Sequence, residues 1–218
     1  MAETDDQQYG ISRLVAFCDG VFAFAITLLI TTIPFSLGDL PSSATNAQIL
    51  PQLGTLLPGF YAYVLSFYMV GNYWLVHHRM FRQIIKYDAT LLWLNLTLLL
   101  FIAFLPVPTA FLGRYGDNSV ITALYALTQT VITLIYLVIG WYTSSHHRLI
   151  PPSLDEKTLR YAHWRSFITV SMFALSIGLA FLNPQLAKLS WIAIFIVRPL
   201  ILKKYIQQEP GVTPPLSG

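Results

Sequence analysis

Charge is what this sequence has least of. Only 11% of its 218 residues are charged, against 55% hydrophobic, and a soluble domain of that length needs far more charge to cover its surface. The chain therefore reads as a membrane protein. Cysteine is nearly absent: Cys18 stands alone, so no internal disulfide forms. The net charge is only +3, and no block of basic residues alternates with aromatics, so nucleic acid is not an expected partner. The leader "MAETDDQQYGIS" is acidic where a secretory signal is basic, which argues against a cleaved signal peptide.

Catalytic patterns are missing as well. No lipase elbow, Walker loop or Rossmann glycine run occurs, since "LPG" and "MVGN" lack the company those motifs require. The pairs His77-His78 and His146-His147 lack the turn spacing of a membrane metal site. No enzyme, metal or cofactor is therefore expected. A second copy of the first helix's pattern near residue 118 is also missing, so symmetry is expected from assembly rather than from an internal repeat.

What is present is apolar length. A helix needs about 20 apolar residues to cross the hydrocarbon core, and six stretches qualify: 13–34, 52–76, 89–112, 118–143, 163–182 and 185–203. Pro34 closes the first, "LPVPT" strains the end of the third, and "IPPS" follows the fourth. Ser153 with Glu156 reads as a capping box, so the fifth helix is expected to begin in water. Five Trp, twelve Tyr and fourteen Phe supply interfacial belts.

Lysine and arginine accumulate on the cytoplasmic side of short loops. Starting the chain inside puts Arg13, Arg79, Arg82, Lys86, Arg148, Lys157, Arg160, Arg165, Arg198, Lys203 and Lys204 on that side, against Arg114 and Lys188 outside. Both termini are thus expected in the cytoplasm. Arg198 sits near enough to its helix end to snorkel. The organisation reads as a cytoplasmic segment 1–12, a six-helix transmembrane domain 13–204 and a flexible tail 205–218, an all-α multi-pass protein of the cell (inner) membrane.

The first helix carries the chemistry. Phe17, Gly20, Val21, Phe24, Thr27, Leu28 and Thr31 fall within about 60° of one line, and Asp19 lies roughly 140° away. Arg13, about 9 Å earlier on the helix, cannot reach that carboxylate, so its partner is expected on another helix, with His77, His78 and Arg79 or a neighbouring subunit as candidates. Small and hydroxyl side chains on the stripe fit close helix packing. They equally fit a pore wall, where rings of hydroxyls alternate with apolar rings.

The stretch "RLVAFCDGVFAFAITLL" resembles the signature of the endosomal and lysosomal potassium channel family, in which R-x-x-x-F-S-D opens the first helix. Arg13, Phe17 and Asp19 match, and Cys18 stands where serine is usual. "WLVHHRMF" is similar to the family's aromatic and histidine cluster. The resemblance implies a homotetramer of six-helix subunits in the lipid bilayer, with the first helix lining a central pore for potassium ions. It places the hydrophobic constriction and threonine ring at Phe24, Thr27, Leu28 and Thr31. Phe24 stands where the family tends to have isoleucine or leucine, and Thr31 where it tends to have leucine. Arg13, Phe17, Cys18 and Asp19, with Trp74 and His77, would form the network that fixes the helix. Asp39 would ring the outer mouth. The expected activity is passive, moderately potassium-selective leak conduction. The alternative is a proton-coupled secondary transporter using Asp19 and a histidine, and a third reading is a metalloenzyme built on the histidine pairs.

Overall fold

The computed structural model describes residues 2–33 and 43–192, with side chains from residue 7 onward. Asp39, Arg198, Lys203, Lys204 and the tail 205–218 lie outside the described residues. Helix α1 (Ala2–Leu28) ends in a short 3-10 turn, Leu29–Thr32. It is followed by α2 (Asn46–Phe81), α3 (Ala89–Phe104), α4 (Pro106–Tyr115), α5 (Ser119–Ser144) and α6 (Glu156–Leu182). A further helix begins after Asn183 and runs through 184–192. Among the described residues, five helical stretches are long and apolar enough to cross a membrane.

Several boundaries differ from the sequence-based expectation. Helix α1 begins at Ala2, ahead of the expected span start at Arg13. The second helix outruns 52–76 at both ends and carries Pro51 and Pro58 inside it. "LPVPT", inside the expected span 89–112, splits that span into two helices. Pro106 has no N–H to donate, α3 stops at Phe104, and the chain resumes as α4 to Tyr115. Ser153 does not cap α6, whose N-cap is Asp155. A cap of that kind occurs instead at α2, where Gln48 Oε1 accepts from the Thr45 N–H at 2.9 Å. Asp88 caps α3 through the Leu91 N–H at 2.9 Å, and Asn118 caps α5 through the Val120 N–H at 2.9 Å. Both acceptors satisfy orphan donors of a first turn.

In packing order α1 lies against α2 and α3, α4 bridges α2 and α5, α3 also leans on α5, and α6 packs chiefly on α5. Lipid cannot satisfy a polar side chain, so those facing the interior pair with one another. Ser66 Oγ lies 2.8 Å from Thr109 Oγ1 and 3.0 Å from the Tyr125 hydroxyl, joining α2, α4 and α5. Tyr73 donates to Gln129 Oε1 at 2.7 Å, and Tyr136 donates to the Tyr73 carbonyl at 2.8 Å. Where α2 and α4 touch, a Cβ on Gly113 would come within 2.9 Å of the Gly59 Cα, so glycine is what lets these backbones meet. The final helix is pinned by Trp191, fully buried, which donates to Ser176 Oγ at 2.9 Å.

The start of α1, the α2–α3 connection and the α5–α6 connection share one end of the bundle. The Tyr87 N–H donates to Gln7 Oε1 at 3.3 Å, and the Ile85 N–H to the Leu149 carbonyl at 2.9 Å. There the Tyr142 hydroxyl donates to Asp88 Oδ2 at 2.6 Å while the Arg148 guanidinium lies 4.8 Å from the Tyr142 ring centre. The opposite end carries the Lys188–Asp117 ion pair at 3.4 Å.

Candidate functional site

One face of α1 is committed to its own subunit. Cys18, Phe22, Ala25 and Leu29 are buried, and their spacing of three and four residues keeps them on a single stripe. The other face is uncovered: Phe17 is 55% and Phe24 64% exposed, and Gly20, Thr27 and Thr31 are exposed beside them. Val21 and Leu28 are half-buried at the margins. The stripe expected from the helical wheel is therefore the face that no described helix of the same subunit covers.

Its hydroxyls have a defined polarity. Thr27 Oγ1 donates to the Phe24 carbonyl at 2.8 Å, and Thr31 Oγ1 donates to the Leu28 carbonyl at 2.7 Å. With each proton turned back into the helix, the oxygen lone pairs are what the outer face presents. Such an oxygen accepts from a donor or meets a cation.

The buried face is held by two short polar links. The Trp74 indole N–H donates to Asp19 Oδ1 at 2.8 Å, so the carboxylate's partner is on α2 but is neither His77, His78 nor Arg79. His77, fully buried, instead lies with Nε2 3.0 Å from Asn95 Oδ1, while Asn95 Nδ2 donates to Cys18 Sγ at 3.1 Å. Because the amide nitrogen faces the sulfur, its oxygen faces the ring, and His77 Nε2 is the donor. Phe81 stacks on the imidazole at 4.1 Å between centres, with Phe22 tilted over it at 5.5 Å. A chain thus runs Cys18–Asn95–His77 from α1 through α3 to α2, beside the Asp19–Trp74 bond.

Of the six residues expected in the network, Cys18, Asp19, Trp74 and His77 come together in these two links. Arg13 is exposed, 6.0 Å from the Tyr9 ring centre, and makes no ion pair with Asp19 among the described residues. Phe17 is on the open face. Asn95 was missed by sequence reasoning, although an amide inside "LLWLNLTLLL" is the kind of lone polar group that a membrane helix keeps only with a partner. Of the histidine pairs, His78 lies against the Trp74 ring at 5.6 Å and His147 Nδ1 is 3.2 Å from the Pro151 carbonyl.

The family described as "Endosomal/lysosomal potassium channel TMEM175" matches residues 13–106, from Arg13 to the break after α3. A protein of Streptomyces collinus named as a potassium channel is 34% identical over 178 residues, covering 80% of this chain and 84% of its own. One from Chryseobacterium, also named a potassium channel, is 29% identical over 180 residues, covering 80% and 85%. The crystal structure of a lysosomal potassium-selective channel TMEM175 homolog from Chamaesiphon minutus shares the fold, with a TM-score of 0.75 at 23% identity over 89% of this chain and 98% of that one. Apolar helices, an anchored first helix and these relatives define a multi-pass membrane protein of a channel class rather than an enzyme. The chain belongs to the TMEM175 family.

Proposed function

We propose that this protein is a potassium-conducting leak channel of the cell membrane, working as a homotetramer in which four copies of α1 surround a common axis. The observation that carries this reading is the uncovered stripe of Phe17, Gly20, Phe24, Thr27 and Thr31 on a helix whose opposite face is bonded to α2 and α3. The described residues of one subunit leave that stripe uncovered, and four copies related by an axis would enclose it. The potassium named in the relatives suits threonine oxygens that present lone pairs.

In this arrangement Phe24 is the hydrophobic constriction. Thr27 supplies the selectivity ring one turn beyond it, with Leu28 and Thr31 completing the wall, and Asp39 lies at the outer mouth. Hydroxyl rings replace an ion's water less completely than stacked carbonyls, so preference for potassium over sodium is moderate and rests on partial dehydration in a narrow apolar neck. Both termini face the cytoplasm, with 1–12 and 205–218 on that side of the 13–204 channel domain. Arg13, Arg79, Lys86, Arg148 and Lys157 gather at the α1-start end against Arg114 and Lys188 at the other, which supports that orientation. No cofactor takes part. A proton-coupled exchanger would need Asp19 within reach of a histidine, and the bond from Trp74 to Asp19 and that between His77 and Asn95 argue against it.

Flux through proteoliposomes under opposed potassium and sodium gradients tests the proposal. Thr27→Ala is expected to lower the potassium-to-sodium permeability ratio while flux persists. An unchanged reversal potential in that variant removes Thr27 from selectivity, and a wild-type protein that passes no potassium ends the channel reading.

A further inference from the structure

The inner end of α1 is held by a contact separate from its polar links to α2 and α3. Tyr87, in the connection between α2 and α3, lays its ring on Gly10, where a Cβ would stand 2.5 Å from both the ring Cε1 and the hydroxyl oxygen. The Tyr87 N–H donates to Gln7 Oε1 at 3.3 Å, one turn earlier on the same helix. Only a residue without a side chain leaves room for the ring at position 10, so Tyr87 grips two successive turns of α1. Gly10 precedes Phe17 by seven residues, about two turns. The ring therefore closes on the inner edge of the face that carries Phe17, Gly20, Phe24, Thr27 and Thr31.

Tyr87 is itself fastened on both sides. Asp88, the next residue, caps α3 through the Leu91 N–H at 2.9 Å and accepts from the Tyr142 hydroxyl of α5 at 2.6 Å. Two residues before Tyr87, the Ile85 N–H donates to the Leu149 carbonyl at 2.9 Å, in the α5–α6 connection. The α2–α3 connection thus bears on α1 as a fixed abutment tied to parts of the subunit away from that helix.

A helix held at one level can pivot, and a second level sets its tilt. Cys18 and Asp19 bond to Asn95 and Trp74 at 3.1 and 2.8 Å. Gly10 lies about 12 Å inward of Cys18 along the helix, and Phe24 about 9 Å outward. About that fulcrum, a shift of roughly 1 Å at Gly10 carries Phe24 about three-quarters as far in the opposite sense.

We propose that Tyr87 is a positioning residue for conduction: seated on Gly10, it fixes the tilt of α1 and so the closeness of the four Phe24 side chains at the constriction. The inference rests on the α1-lined pore proposed above and adds the contact that sets its resting width. Tyr87 meets no permeating ion in this arrangement and acts through α1.

Potassium flux through proteoliposomes and amide hydrogen exchange along α1, both measured on the full-length protein, test it. Tyr87→Ala frees the inner end of α1 and is expected to raise resting potassium flux by about three-fold or more. Tyr87→Phe keeps the ring and should stay at the wild-type level. Gly10→Ala displaces the ring and should raise flux as well, with no further rise when combined with Tyr87→Ala, since both changes break one contact. A Tyr87 of structural importance only would lower the melting temperature of Tyr87→Ala without moving its flux per reconstituted protein, and that result overturns the proposal. Independent, multiplying effects of the two substitutions overturn it too. If Tyr87→Ala does not fold, Gly10→Ala decides alone, and wild-type flux in that variant overturns the proposal. Should the wild-type protein pass no potassium, the pore reading fails by itself and exchange decides the hold on α1: faster exchange at residues 10–17 in Tyr87→Ala sustains it, and equal exchange overturns it.

Discussion

At Cys18 a buried thiol meets the Asn95 amide nitrogen, which finds its sulfur at 3.1 Å. Sulfur is a weak acceptor, but removing it would strand a buried N–H donor, and an unpaired buried group costs more than a made bond contributes. Cys18→Ala is therefore expected to destabilise the protein by about 1–3 kcal/mol, while Cys18→Ser keeps an acceptor and stays near wild type. Thermal unfolding of the two variants in detergent checks the contrast, and equal melting points would remove the bond from the anchor. The position of Asp19 off the threonine stripe was legible in the sequence, because helical angle depends only on residue count. Which of several nearby side chains met Asp19 was not. Trp74, His77 and His78 lie within about one turn of each other on α2, and the rotation of that helix chose the indole.

Among the elements, the clasp of Asp88 between α3 and α5 links local capping to packing. Burial pushes the Asp88 carboxyl up, but the hydrogen bonds from Tyr142 and the Leu91 N–H, with the Arg148 charge nearby, outweigh it and hold the group below its ordinary value. An acid whose pKa is lower in the folded protein than in the unfolded chain contributes stability that is present at neutral pH. That contribution fades as pH falls below about 4, through the folded value. The stability advantage of wild type over Asp88→Asn is thus expected to be largest near neutrality and to shrink as pH falls below about 4, as melting curves across acid and neutral pH would reveal. At the crossing of α2 and α4, Gly113→Ala would set a methyl group 2.9 Å from the Gly59 Cα. Forcing the helices apart there is expected to cost about 1–3 kcal/mol, and a variant melting with wild type would mean that the crossing relaxes without loss. Helix existence was largely readable from apolar length. The expected span 89–112 already ran past "LPVPT", and what the sequence did not give is that the strain there becomes a full break between α3 and α4 at Leu105.

For the whole molecule, the open face of α1 makes a demand that assembly must meet. Cys18 is the only native cysteine and is buried, so engineered cysteines report contacts with little background. If four α1 helices surround an axis, Phe24→Cys should form disulfide-linked dimers under a membrane-permeant oxidant. Leu175→Cys, on the exposed side of α6, should remain monomeric. Linkage of both or of neither on denaturing gels would count against a shared α1 axis.

By itself the sequence determined membrane residence, the approximate extent of most spans, the asymmetry of basic residues between the two ends, and the separation of Asp19 from the threonine stripe. All four follow from hydropathy and helical period, which are properties of consecutive residues. Tertiary structure alone decided that Trp74 meets Asp19, that Asn95 ties Cys18 to His77, and that α4 packs against α2 and α5. Those features join residues far apart in the chain, and only the rotation and stagger of packed helices brings such partners within hydrogen-bonding reach.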